Sequence, residues 1–155
     1  MKIAIVQVRG TVGLSQKLKT TFKLLKLLKT HSCVLAEANS STKGMLIALK
    51  DYITWGEIDQ ATFTLLLEKR GKLAGNKNLT EAYLKEKTNM NFDQFSQSIL
   101  ESKKTFKDLP GIKPYFRLKP PTKGFERGGI KLQYSLGGAL GYRKDNINDL
   151  IRRMI

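Results

Sequence analysis

All four prolines of the chain, Pro110, Pro114, Pro120 and Pro121, fall between Asp108 and Lys144, and so do seven of its thirteen glycines. Proline removes a backbone donor and fixes φ, and glycine weakens helix and strand alike, so this stretch cannot be one helix or one long strand. It is also rich in rings (Tyr115, Phe116, Phe125, Tyr134 and Tyr142), which a merely solvated linker would not carry. Between the breaks stand Lys113, Arg117, Lys119, Lys123, Arg127, Lys131, Arg143 and Lys144. Such a segment suits a polyanion with exposed bases: cations meet phosphates, rings stack, and glycines admit close backbone approach. The first expectation is an RNA-binding arm on a small folded core. Its Gly, Pro and charge content predicts that it is poorly ordered without RNA.

The charge distribution supports a polyanionic partner. The net charge is +15 and the pI about 10.0, strong self-repulsion for an isolated chain of 155 residues. Residues 1–36 hold seven cations and no acid, residues 37–104 are balanced to a net of +1, residues 105–144 carry +7, and the last eleven are neutral. Both ends of a balanced middle thus contribute to the expected interface. Cys33 is the only cysteine, which excludes an intramolecular disulfide and suggests an intracellular protein. No apolar run approaches the roughly 18 residues of a membrane span, and the start, MKIAIVQVR, is too short in its apolar part for a signal peptide.

Periodicity yields a coarse fold. Lys2–Arg9 reads as a β-strand with both faces largely apolar. Ser15–Lys29 reads as an amphipathic helix with Leu14, Leu18, Phe22, Leu25 and Leu28 inward and Lys19, Lys23 and Lys26 on a separate stripe. A second strand over 33–37, a helix over 43–51 capped by Thr42, and a third strand over 52–57 complete β-α-β-α-β. The fold class expected is α+β: a small ferredoxin-like core with a three-stranded sheet, two helices on one face, added helices, and an extended basic C-terminal arm. Phe63, Leu66 and Leu67 mark a helix over 58–70, Thr80 and Asn91 cap two shorter helices, and Asp145 caps a last one with Ile147, Leu150, Ile151 and Met154 inward. The segments are 1–58 (core), 59–107 (helical), 108–144 (arm) and 145–155 (C-terminal helix).

The inventory for catalysis is thin. One cysteine and one histidine, Cys33 and His31, cannot build a metal cluster. His31 on a short connection is a poor start for a Ser-His-Asp arrangement. Glu57 and Asp59 are near in sequence, a common and weak signal. The glycines of GGALGY (137–142) lack the Gly-Lys-Ser/Thr of a phosphate loop. No cofactor is expected.

The blocks RGTVG (9–13), KGMLIALKDYITWGEID (43–59), KRGKLAGNKNLTEAY (69–83), LPGIKPYFRLKPPTKGF (109–125) and GGALGYR (137–143) follow one another collinearly. Together they resemble the L-thirty family of large-subunit ribosomal proteins, whose eukaryotic members are called L-seven. The resemblance covers essentially all of the chain. The bacterial form is similar only to about the first sixty residues, and the eukaryotic form carries a long basic N-terminal extension, so the archaeal form is the closer match. The resemblance implies a non-enzymatic, cytoplasmic protein that binds large-subunit ribosomal RNA, near the 5S RNA and beside neighbouring ribosomal proteins, with no membrane.

The residues expected to meet RNA are Arg9, Lys17, Lys19, Lys23 and Lys26 near the N-terminus, and Lys119, Lys123, Arg127, Lys131, Arg143 and Lys144 in the arm, mainly through phosphate contacts. Tyr134 and Tyr142 are the rings expected to touch RNA. Two rival readings stay open from the residues alone: a free-standing regulatory RNA binder, and an RNA-modifying enzyme with a basic platform.

Overall fold

The computed structural model describes residues 2–155. Strand β1 (Lys2–Gln7) is central, because its side chains are apolar on both faces and its backbone has a partner on each side. It pairs antiparallel with β2 (Ser32–Glu37) and with β3 (Ile53–Glu57). The arm supplies two more short strands. β4 (Phe116–Arg117) runs antiparallel to β2, and β5 (Gly141–Tyr142) runs parallel to β3. The sheet therefore has five strands in the order β4-β2-β1-β3-β5. The α+β class and the β-α-β-α-β order match the sequence expectation, and the three-stranded sheet is corrected to five. Two-residue strands flanked by glycine and proline carry too little alternation to read from sequence.

Helices cover both faces. Helix α1 (Gln16–Leu24) and α2 (Ser40–Ala48) pack on Ile3, Ile5, Val34 and Ile53, the two helices expected on one face. Helices α3 (Gln60–Arg70), α4 (Glu81–Thr88), α5 (Phe92–Leu100) and α6 (Ile147–Met154) bury Ala4, Val6 and Cys33 on the other. This second core also takes Leu109, Ile112, Phe116 and Leu118 from the arm. Burial of Cys33 pushes its thiol up to about 12, which suits a small core residue rather than a nucleophile.

Local capping explains several shifted boundaries. Helix α1 stops five residues short of the expected Lys29. Its end is a Schellman motif: the Leu27 N–H donates to the Phe22 carbonyl at 2.9 Å and the Lys26 N–H to the Lys23 carbonyl at 3.0 Å. Lys26 takes the left-handed position, φ 58°. That turn buries Leu27 beside Phe22 and leaves the expected inward residue Leu28 at the surface. Helix α2 begins at Ser40, three residues early, after Asn39. Asp59 caps α3 by accepting from the Thr62 N–H at 2.8 Å, Thr80 caps α4, and the Gln94 side chain closes the capping box of α5 on the Asn91 N–H at 3.2 Å. Helix α6 follows a short 3₁₀ turn over Lys144–Asn146 and starts after Asn146 rather than Asp145. Gly56 makes room for it: a Cβ there would lie 2.0 Å from the Lys144 carbonyl oxygen and 2.9 Å from Ile147.

The arm is folded onto the body, contrary to the expectation of disorder. The Lys119 N–H donates to the Met154 carbonyl and the Thr122 N–H to the Arg153 carbonyl, both at 2.9 Å, so the arm wraps the end of α6. Further on it doubles back: the Gly128 N–H reaches the Gly137 carbonyl at 3.0 Å and the Leu140 N–H the Leu132 carbonyl at 3.1 Å. The two runs approach so closely that a Cβ on Gly138 would sit 2.1 Å from the Leu132 oxygen. Ala139, Leu140 and Phe125 close over Val8.

Candidate nucleic-acid interface

Sheet register decides where the cations gather. β1 runs opposite to both β2 and β3, so the C-terminal end of β1 shares one rim of the sheet with their N-terminal ends. β4 ends at the same rim, where Arg117 faces Ser32, and β5 begins there at Gly141 beside Thr54. Arg9, Lys29, Lys50, Arg117 and Lys119 thus flank one rim, and the folded part of the arm with Lys123, Arg127 and Lys131 continues it. The opposite rim carries acids. Lys2 and Glu37 pair there at 2.6 Å, and Glu57, Asp59, Asp145 and Asp149 border a pocket of about 430 Å³. Lys2 holds the Glu37 carboxyl below its usual range. Several of these acids are already paired, Asp59 with Arg152 at 2.8 Å and Asp149 with Arg153 at 3.1 Å, whereas the cations of the first rim have no acidic partner among the described residues.

Most expected contact residues are available at the surface. Lys17, Lys23, Lys26, Lys119, Lys123, Arg127, Lys131 and Lys144 are exposed, and their side chains have no hydrogen-bond or ion-pair partner among the described residues. Lys19 is half-buried. Lys26 is not on the α1 stripe, because the helix has ended. Arg9 is partly committed: it donates to the Asp51 carbonyl at 3.2 Å and lies 5.1 Å from the centre of the Tyr52 ring. Lys144 and Tyr142 lie toward the acidic rim, away from the main group. The Tyr142 hydroxyl donates to Glu57 at 2.5 Å, which raises its pKa, while the ring is 48% exposed beside Trp55.

Arg143 overturns its expectation. It is 2% exposed, and every part of its guanidinium is used inside the protein. Its Nε donates to the Thr54 hydroxyl at 2.8 Å, its Nη atoms grip the Glu126 carboxylate at 2.5 and 2.6 Å, and Nη2 also reaches the Ala139 carbonyl at 2.9 Å. The Tyr134 ring lies 4.6 Å from it, so one face of that half-buried ring is spent too. Burial alone would raise the Glu126 pKa, but Arg143, with help from Arg153, holds it below the ordinary value. Arg143 therefore cannot meet a phosphate; it locks the arm to β3. Sequence could not distinguish it from the exposed arginines, since the distinction is the burial of Thr54 and the approach of Glu126.

Sequence reasoning also passed over Lys29, Lys50 and Arg117 as site residues. Lys29 and Lys50 lie in loops and Arg117 in β4, far apart in the chain, and strand register alone joins them. Ile130, Leu132 and Leu136 stand exposed on the arm's fold, between 42% and 71%. His31, also at this rim, has φ 64° and stacks on Phe125 at 6.1 Å; burial lowers its pKa.

Comparison with known proteins places this arrangement. Residues 3–53 match the family model described as Ribosomal protein L30p/L7e. Over the full length, the chain is 46% identical to the large ribosomal subunit protein uL30 of Methanococcus vannielii, with all of both chains covered. It is 47% identical to the protein of that name from Methanopyrus kandleri, over 95% of this chain and 99% of the other. The chain belongs to the L30p/L7e family, in its archaeal form. The uL30 of Archaeoglobus fulgidus is 45% identical over 97% of this chain and 98% of its own. The family model ends at the first residue of β3, before α3–α6 and the arm, whereas the full-length relatives align through them. The basic rim is accordingly built from both parts, the L30p/L7e core and the longer archaeal-type extension.

Proposed function

We propose that this chain is a structural, non-enzymatic constituent of the large ribosomal subunit in the cytoplasm, binding ribosomal RNA mainly through phosphates and shape and supporting translation. The observation that carries this is the division of charge along the sheet. Cations without an acidic partner among the described residues flank one rim while the acids gather at the other, several of them in ion pairs, and the full-length relatives are named large ribosomal subunit proteins. RNA meets the basic rim through Arg9, Lys119, Lys123, Arg127 and Lys131, and further phosphates meet the α1 cations Lys17, Lys19 and Lys23 and, in the turn after the helix, Lys26. Tyr134 and Tyr142 offer one ring face each. A position close to the 5S RNA rests on the resemblance to the archaeal form. Residues 1–58 act as the RNA-binding core, 59–107 as the helical cover, 108–144 as the arm, and 145–155 as the helix that seats the arm. Neighbouring ribosomal proteins are the natural partners of the acidic rim.

Sedimentation of native extract tests the reading. The protein is expected to travel with the large subunit at moderate salt, in near-equal copy number, and to be released at high salt. Remaining at the top of the gradient would favour the free regulatory reading instead.

A further inference from the structure

We propose that Arg70, Lys72, Lys113 and Arg117 form a preorganised pocket for a single phosphate of the RNA backbone, a subsite that rests on the ribosomal RNA reading above. The four cations come from three parts of the chain: the end of α3 with Lys72 two residues beyond it, the proline-flanked entry to the arm, and β4. They converge with Asn76 and Tyr115 around a cavity of about 320 Å³ whose lining contains no carboxylate side chain among the described residues.

Three observations point to an anionic ligand. Arg70, Lys72 and Lys113 are half-buried and line one cavity, so several cations share it with reduced access to water. Partly desolvated like charges repel more strongly than the same charges in bulk solvent. The C-terminal end of a helix favours a cation, which accounts for Arg70 alone. Arg70 bonds an oxygen of Ile155, the last residue described, through Nη2, which meets part of its charge, but its Nε is buried with no partner among the described residues. Lys72 reaches only the neutral Asn78 side chain, at 2.5 Å. The backbone also fixes the cations before any ligand arrives. The Lys113 N–H donates to the Lys72 carbonyl and the Ala74 N–H to the Gly111 carbonyl, both at 2.8 Å, and register with Ser32 fixes Arg117. A tetrahedral dianion or a diester phosphate supplies several acceptors to such a ring of donors, and Arg fits it in bidentate fashion. Protein carboxylates could offer charge, but Arg117 belongs both to the cavity and to the basic rim, where RNA is the expected neighbour.

The test uses the full chain and two probes, inorganic phosphate and large-subunit ribosomal RNA, with chloride at matched ionic strength as reference. Phosphate is expected to shift the NMR resonances of the Arg70 and Arg117 Nε–H groups beyond the chloride reference. The double variant Lys113→Gln, Arg117→Gln should weaken that binding roughly tenfold or more, the weight of one charge-assisted hydrogen bond. Both positions are accessible enough to change without emptying the core, and retained amide dispersion confirms folding. With RNA, the double variant should lower the slope of log affinity against log salt by about 0.7–0.9, the signature of one phosphate rather than two. Changing Lys123 and Lys131 to Gln should leave the phosphate response at Arg70 intact. No phosphate-specific shift, or an RNA slope unchanged in the double variant, overturns the pocket while leaving the ribosomal reading in place. Phosphate binding that RNA does not compete away identifies a free-anion site and also overturns it. If the wild-type chain fails to bind ribosomal RNA, the ribosomal reading itself falls, and the backbone-phosphate assignment falls with it.

Discussion

Removing the Arg143 guanidinium is the sharpest test of how the arm is held. In Arg143→Met the side-chain volume is largely kept, but Glu126 loses its two short bonds and the Thr54 hydroxyl loses a donor. The Glu126 carboxylate, 21% exposed, is left with Arg153 at 3.5 Å. Breaking one side of a buried pair costs about 3–5 kcal/mol, because the remaining charge is desolvated without compensation. For a chain of this size each kcal/mol lowers the melting temperature by roughly 2–4 °C, so a fall of about 6–20 °C is expected. The double variant Arg143→Met, Glu126→Leu removes both charges and should recover most of the loss, since an apolar replacement of a whole buried pair is often neutral. Thermal melting by circular dichroism measures both, and limited trypsin cleavage after Arg127 and Lys131 reports whether the arm has come free. A single variant that loses less than about 1 kcal/mol, or a double variant no more stable than the single, refutes the lock.

Two more outcomes follow from the same geometry. The folded-state pKa of Glu126 is depressed, so its contribution to stability is complete above the unfolded carboxylate value of about 4.3 and is lost as pH falls through the lower folded value; acid titration of the wild-type melting temperature should show this loss, and the double variant lacking the pair should not show it. Gly56→Ala places a methyl against the Lys144 carbonyl and Ile147, and the forced shift of α6 should cost about 1–3 kcal/mol in chemical denaturation, against no loss if the helix has room to move.

The order β-α-β-α-β, the inward residues Phe63, Leu66, Leu67, Leu150 and Ile151, and the caps at Thr80 and Asn91 were legible in the sequence alone. Each rests on spacing within a short window, where side chains three or four apart must share a helix face and a side-chain oxygen must meet a nearby N–H. The concentration of cations at the two ends of the chain, and hence the class of partner, is likewise a property of composition that folding cannot alter. What only tertiary structure decided is which cations remain free. Arg143 and Arg127 are both arm arginines within a run of glycines and rings, yet one is buried against Glu126 and Thr54 and the other faces solvent. Leu28 and Leu27 exchanged roles because Lys26 adopted a left-handed turn that completed the cap of α1. The arm is ordered because its two-residue strands, its glycine crossing and one ion pair act together, and none of these has a local period. Arg70, Lys72, Lys113 and Arg117 meet only because α3 and β4 pack at the same corner of the sheet. Local pattern is written in neighbouring residues, whereas the pairing of distant charges depends on strand register and helix packing, which the chain settles only when the whole core closes.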